Sequence, residues 1–265
     1  MKVLLINGSP DREGCTYTAL CEVEKTLRAE GIDTEIFHIG VEPLPGCSGC
    51  CGCEGQGRCI FDDAVNEALE KAETADAYVF GSPVHYAGIA GDMKSFMDRF
   101  FWAGDHTLKP AAAVVSCRRA GATATLDGLN KYMTIAQMPV VSSGYWNMVH
   151  GNTPDEVRQD LEGMQVMRTL GRNMAWLLKS IEAGRNAGLP LPERENRIAT
   201  KGTILDGAKL IMNVVPGLAE CDECDEIFNV IEHEGYCPNC GSFEKTVLSG
   251  RDFSIREIHV AEPQE

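Results

Sequence analysis

Lys2-Val3-Leu4-Leu5-Ile6-Asn7-Gly8-Ser9-Pro10-Asp11-Arg12-Glu13-Gly14-Cys15-Thr16 opens the chain, and its reading decides the fold. Residues 2–7 form a continuous apolar run that stops at Gly8-Ser9-Pro10. Such a run, bounded by turn residues, reads as a strand buried on both faces, the habit of a parallel sheet. From 15 to 30, Ala19, Leu20, Val23 and Leu27 recur on one helical face. The alternation continues downstream. Strands are expected at 34–38, 77–82, 111–116 and 139–143, with helices at 62–74, 91–101, 123–136 and 154–183. The order implies an α/β fold: five parallel strands, doubly wound in order 2-1-3-4-5, with helices on both faces.

The chain has 39 acidic and 24 basic residues, a formal net charge of −15. So acidic a surface repels phosphate backbones and anionic lipid, which argues against nucleic acid and membrane as partners. No run approaches the roughly 18 apolar residues of a membrane span, and the short run at 2–7 is no secretion signal. A cytoplasmic location is expected. The twelve cysteines then sit in a reducing compartment, where clustering points to metal or catalysis rather than disulfides.

Three loops would share the carboxyl edge of the sheet, where such folds bind ligands. The first, Gly8 to Thr16, sets the hydroxyls of Ser9, Thr16 and Thr18 and the charge of Arg12 beside a helix start, whose N–H groups and dipole suit a phosphate. It lacks both the Gly-Lys-Ser/Thr of a P-loop and the Gly-x-Gly-x-x-Gly of dinucleotide sites, so a phosphate monoester fits better. An ordinary βα turn is the plain alternative. The second, Gly81-Ser82-Pro83-Val84-His85-Tyr86-Ala87-Gly88, offers a proline, an aromatic ring and exposed backbone to a flat ring system. The third, Cys117-Arg118-Arg119-Ala120-Gly121, offers N–H groups beside small residues. His85 is a candidate ring contact, with a satisfied loop histidine as the alternative, and no general acid or base stands out. Cys15, Cys21 and Cys117 are explained as well by packing.

Cysteine spacing marks two further sites. Cys47-x2-Cys50-x2-Cys53-x5-Cys59 can wrap a cubane iron–sulfur cluster, with zinc or no metal as alternatives. Cys51 leaves the ligand set ambiguous by one position. Cys221-x2-Cys224-x12-Cys237-x2-Cys240 forms two knuckles suited to tetrahedral zinc or a single iron. A unit of that size has little core and needs such a staple. The chain thus divides into a domain at 1–183, an arm at 184–219 holding Gly188, Pro190 and Pro192, and a metal module at 220–260.

Residues 1–185 resemble the NADPH-dependent FMN reductases of flavodoxin-like fold and, among them, the iron–sulfur flavoproteins. The resemblance rests on Gly8-Ser9-Pro10, Gly81-Ser82-Pro83-Val84-His85-Tyr86, Met93-Lys94-x-Phe96-x-Asp98-Arg99, Arg118-Arg119-x-Gly121 and Gly144-Tyr145-Trp146-Asn147. It departs from the common phosphate loop at Asp11 and Cys15. It implies FMN, with Ser9, Arg12, Cys15 and Thr16 at the phosphate. Pro83, Val84, His85, Tyr86 and Gly88 would lie at the ring, joined by Arg118, Arg119 and Gly121. It also implies a [4Fe–4S] cluster at Cys47, Cys50, Cys53 and Cys59, and a homodimer or homotetramer. The tail resembles a rubredoxin-like module or a zinc ribbon, although Asp225 stands where rubredoxins usually place glycine. The expected activity is an FMN-dependent oxidoreductase working between NAD(P)H or a reduced carrier and an acceptor, with a four-cysteine site of iron or zinc in the tail that would be a one-electron relay if it held iron. The competing reading is an electron carrier with a structural zinc tail. A third is a zinc-ribbon protein on a degenerate flavodoxin domain.

Overall fold

Strand β1 (Lys2–Asn7) is an inner strand of the sheet, and its Val3, Leu4, Leu5 and Ile6 are fully buried. It pairs in parallel with β2 (Asp33–His38) and β3 (Ala77–His85); β3 pairs with β5 (Ala111–Cys117) and β5 with β6 (Met148–His150). The order is β2-β1-β3-β5-β6, with β4 (Gly88–Ile89) folded back antiparallel on β3. The structure is a computed structural model, and it describes residues 1–192, 217–230, 232–233 and 235–248.

Two cores explain the unbroken apolar run of β1. Val3 and Leu5 pack with α1 (Cys15–Ala29) and α6 (Leu161–Asn186) through Val23, Leu27, Met167, Leu170 and Met174. Leu4 and Ile6 face the other way, toward α2 (Ala64–Glu73), α3 (Gly91–Ala103) and α4 (Ala122–Ile135) through Leu69, Phe96, Phe100 and Leu129. Successive side chains alternate faces and both faces are covered, so every position must be apolar.

Three expectations need correction. The fifth strand lies at Met148–His150 and not at 139–143, where Val140 makes only an isolated bridge to Ala111. Hydrogen bonds from Ala111 N to Pro139 O and from Val141 N to Ala111 O end there, and residues 142–147 loop out before pairing resumes. The helix expected at 154–183 is broken at Asp160 into α5 (Pro154–Gln159) and α6, because Asp160 takes φ −73° and ψ 80° and caps the second helix. The two-residue strand β4 was not expected at all.

The chain divides into two compact units, Met1–Pro190 and Leu191–Glu265. In the second, β7 (Leu218–Cys221) lies between β8 (Ile227–Asn229) and β9 (Lys245–Val247), both antiparallel to it. Most of the expected arm, residues 193–216, and the end of the module beyond 248 lie outside the described residues.

Candidate flavin edge and cysteine centres

The first loop is shaped by Asn7 at the end of β1. Its Oδ1 accepts from Ser9 N at 3.1 Å and its Nδ2 donates to the Arg12 carbonyl at 3.0 Å. Ser9 is buried; its Oγ accepts from Asp11 N, and its carbonyl accepts from His38 Nε2 at 2.8 Å. Arg12 is exposed. Thr16 is fully buried with Oγ1 2.8 Å from Ser116 Oγ, so its hydroxyl is committed to the sheet and its backbone N–H is what it offers a ligand. Cys15 Sγ lies 3.7 Å from Gly151 O. Burial, then the Asp11 and Glu156 carboxylates, push its thiol up, which suits a packing residue and not a nucleophile.

The second loop is a two-residue hairpin. Val84 faces Ile89 and His85 faces Gly88, leaving Tyr86 (φ 48°) and Ala87 (φ 59°) at the turn. Both are left-handed, as a type I′ turn requires, yet neither is the Asn or Gly that adopts this conformation cheaply. The Tyr86 side chain is fully exposed, and His85 is exposed beside it. Pro83, Val84 and Gly88 are half-buried. The third loop lies against this hairpin: Gly121 has φ 89°, and a Cβ there would sit 2.6 Å from Ala87 Cα. Arg118 and Arg119 are exposed on the same loop. The first loop is tied in through Gly8, whose N donates to Gly81 O at 2.9 Å and whose Cβ would collide with Met93 of α3.

Helix capping sets the helices behind these three loops apart from the other helices of the domain. Helices α1, α3 and α4, which begin behind the three loops, have no side-chain cap. Helices α2, α5 and α6 are capped by Asp63, Thr153 and Asp160. The first turns of α1 and α4 also carry no acid. Their N–H groups are therefore open to an outside acceptor, and the helix dipole favours an anionic one. Open donors behind a strained aromatic hairpin fit a phosphorylated flat ring.

The five cysteines of loop 47–59 line one pocket, closed by Arg99 and Trp102. Cys51, Gly49, Gly55 and Gly57 take positive φ, which lets the backbone wind tightly. The Gly52 N–H, then the Ser48 hydroxyl, hold the Cys50 thiol below its ordinary value, while burial raises Cys53. Asn66 of α2 clasps Cys59: its Oδ1 accepts from Cys59 N at 2.8 Å, and its Nδ2 donates to the Cys59 and Phe61 carbonyls at 3.0 Å each. Arg99 of α3 reaches Cys59 Sγ at 3.2 Å. Sequence reading gave no role to Asn66 or Arg99. The available signal was a charged residue beside the apolar stripe Met93, Phe96, Phe100.

In the second unit, Cys221, Cys224, Cys237 and Cys240 bring their sulfurs within 4.8 Å of one another, the one such cysteine set among the described residues. The knuckles repeat each other. Cys221 N donates to Glu226 O and Asp225 N to Cys221 O; Cys237 N donates to Ser242 O and Gly241 N to Cys237 O. Asp225 (φ 58°) and Gly241 (φ 75°) hold the same left-handed position, so the aspartate keeps the knuckle geometry. Burial opposes the Cys237 thiolate, but the Cys240 and Asn239 N–H groups outweigh it and lower the thiol to about 7. The Ser242 N–H favours the Cys240 thiolate, but the Cys221 and Cys224 sulfurs push it up to about 12. Four thiols so close cannot all ionise without a cation, and their softness and tetrahedral crowding suit zinc or iron.

A doubly wound sheet with this edge defines a flavin-dependent oxidoreductase of flavodoxin-like fold. Residues 1–153 match the family model for NADPH-dependent FMN reductase, and the chain belongs to that family. An iron-sulfur flavoprotein of Methanocaldococcus jannaschii is 31% identical over 192 residues, covering 69% of this chain and 100% of the relative. A solved flavone reductase aligns with a TM-score of 0.55 at 20% identity, over 69% of this chain and 64% of that one, a likeness of fold. Residues 194–260 match the model for the hydrogenase/urease nickel-incorporation metallochaperone HypA. The hydrogenase maturation factor HypA of Geobacter metallireducens is 38% identical over 61 residues, 23% of this chain and 56% of that protein. Of the two resemblances drawn for the tail, this match supports the zinc ribbon. No described helix is long and apolar enough to cross a membrane.

Proposed function

We propose that the chain moves electrons between NAD(P)H, or a reduced carrier protein, and an acceptor through FMN held at the three-loop edge, with an iron–sulfur cluster in the neighbouring cysteine loop. The observation that carries this is the seating of Gly121 on Ala87 at the edge where α1 and α4 begin uncapped. The first loop would hold the phosphate through N–H groups at Cys15 and Thr16, with Ser9 and Arg12 beside them. Pro83, Val84, His85, Tyr86 and Gly88 would bear on the ring. Gly121 and the Arg118–Arg119 pair would face its polar edge or the donor's phosphates. FMN, when bound, takes two electrons as hydride or passes them singly. The chain's own part is to place the ring on a rigid hairpin and to offer charge-complementary N–H groups around it.

The soft donors of Cys47, Cys50, Cys53 and Cys59, lining one pocket at compact spacings, support a [4Fe–4S] cluster. Held by these four cysteines, such a cluster would supply one-electron transfer. Exposed Tyr86, Tyr145, Trp146 and Trp176 support assembly as a homodimer or homotetramer. Twelve free cysteines suit a reducing cytoplasm. Steady-state turnover of anaerobically purified protein with NADH or NADPH, against a quinone or free flavin, tests the reading. Turnover at catalytic rates is expected; electron uptake without turnover would leave a carrier.

A second reading concerns the tail alone. The match to HypA and the paired knuckles favour structural zinc at Cys221, Cys224, Cys237 and Cys240 over a redox iron. Metal analysis of the purified chain decides it, with zinc expected in the tail.

A further inference from the structure

Arg99 is 1% exposed, the most deeply buried cation among the described residues. A guanidinium has five N–H donors, and here each has a partner. Nη1 donates to Asp63 Oδ2 at 2.7 Å and Pro45 O at 3.3 Å; Nη2 donates to Asp63 Oδ1 at 2.9 Å and Phe61 O at 3.3 Å. Nε donates to Cys59 Sγ at 3.2 Å, and the guanidinium lies 5.0 Å from the centre of the Phe61 ring. Pro45 and Phe61 flank the cysteine loop on either side, so α3 pins both ends of it. The fork to Asp63 is enough to balance the buried charge. The bond to sulfur is additional. Among the described residues, no other cysteine of the loop has a cation bonded to its sulfur.

We propose that Arg99 is a positioning residue of the cysteine centre, one that orients Cys59 and raises the reduction potential of the cluster held there. The inference rests on the reading that this loop holds an iron–sulfur cluster. Reduction adds negative charge to the cluster and its sulfurs. A cation donating directly to one of those sulfurs stabilises the reduced form more than the oxidised form, as hydrogen bonds to cluster sulfurs generally do. Asp63 tempers the field, but it binds the Nη edge of the guanidinium and leaves Nε as the group nearest the sulfur. Lysine could keep the charge, yet one ammonium cannot fork to Asp63, reach both carbonyls and donate to Cys59.

The test uses the full chain, purified without oxygen, as wild type, Arg99→Gln and Arg99→Lys, with iron and sulfide assays and an EPR-monitored redox titration. The potential is read per remaining cluster, so lost occupancy does not mimic the effect. Arg99→Gln is expected to favour the oxidised form at least tenfold, a fall of about 59 mV for a one-electron couple, and Arg99→Lys to fall between it and wild type. Clusters that titrate at the wild-type potential in Arg99→Gln would reduce Arg99 to a loop staple and overturn the proposal. Should that variant fail to fold, wild type carrying 15N-arginine decides: pulsed EPR of the reduced cluster is expected to show a 15N coupling, and its absence overturns the proposal. Wild type without iron and sulfide would instead overturn the cluster reading itself.

Discussion

Gly121 and His106 show how single residues hold this structure. Gly121 combines φ 89° with backbone, not a flexible side chain, where its Cβ would sit. Gly121→Ala is therefore predicted to cost about 1–3 kcal/mol and to weaken FMN binding, read by thermal melting and by flavin fluorescence titration. His106 is 3% exposed and stacks on Phe100 at 4.2 Å. Its Nε2 donates to Phe100 O and its Nδ1 lies 3.3 Å from Tyr78 Oη. Burial lowers its pKa from 6.5 to about 4, against the Phe100 carbonyl, which favours the charged form. Above pH 6.5 the ring is neutral whether the chain is folded or not, so it adds no pH dependence there. Between pH 6.5 and 4 the unfolded chain binds a proton that the folded chain refuses, and stability falls; below 4 this loss levels off. The full gap corresponds to about 3 kcal/mol. Denaturant midpoints from pH 7.5 to 4 are expected to fall more steeply in wild type than in His106→Gln. Neither this histidine's burial nor that of Arg99 was legible in the sequence. Both residue types are usually exposed or half-exposed, and only tertiary partners such as Asp63 and Tyr78 reveal why they are inside.

At the scale of elements, the long apolar runs were legible and the short or interrupted pieces were not. Strand β1 and helix α1 follow their periodicities almost to the residue, because both faces of the sheet are covered and the pattern is repeated over many positions. Strand β6 has only three residues and resumes a pairing broken by the 142–147 loop, too little pattern to place it. The α5–α6 break depends on a cap: Asp160 Oδ1 accepts from Gly163 N at 2.9 Å and Oδ2 from His150 N at 2.7 Å. Asp160→Ala is predicted to cost about 1–2 kcal/mol, read as a lower melting temperature. The hairpin stores strain in the opposite sense. Replacing Tyr86-Ala87 with Asn-Gly supplies the residues a type I′ turn prefers. It is expected to raise stability by about 1–2 kcal/mol while lowering FMN affinity, since the exposed ring is lost. A variant that gains stability and keeps its flavin affinity would show that Tyr86 does not meet the cofactor.

For the whole molecule, the two units depend on different physics. Met1–Pro190 carries a large apolar core on each face of its sheet. In the second unit the buried cluster among the described residues is Ala219, Cys221, Phe228 and Cys237, two of them cysteines of the metal set. Little else among the described residues there offsets chain entropy, so a strong chelator is predicted to abolish hydrogen-exchange protection in β7, β8 and β9 and to leave protection in β1, β3 and β5 unchanged. The cysteine spacings drew both clusters from the sequence, and the structure gathers the four sulfurs of the tail. The flavin edge was legible only as three loops that an α/β topology would bring to one rim, and the contact between two of them needed the fold. The most direct test of the whole account is FMN binding by protein purified anaerobically from riboflavin-rich culture, followed by titration of the flavin-free chain. Saturable stoichiometric binding, weakened in Gly121→Ala, is predicted; a chain that neither retains nor takes up FMN contradicts the account.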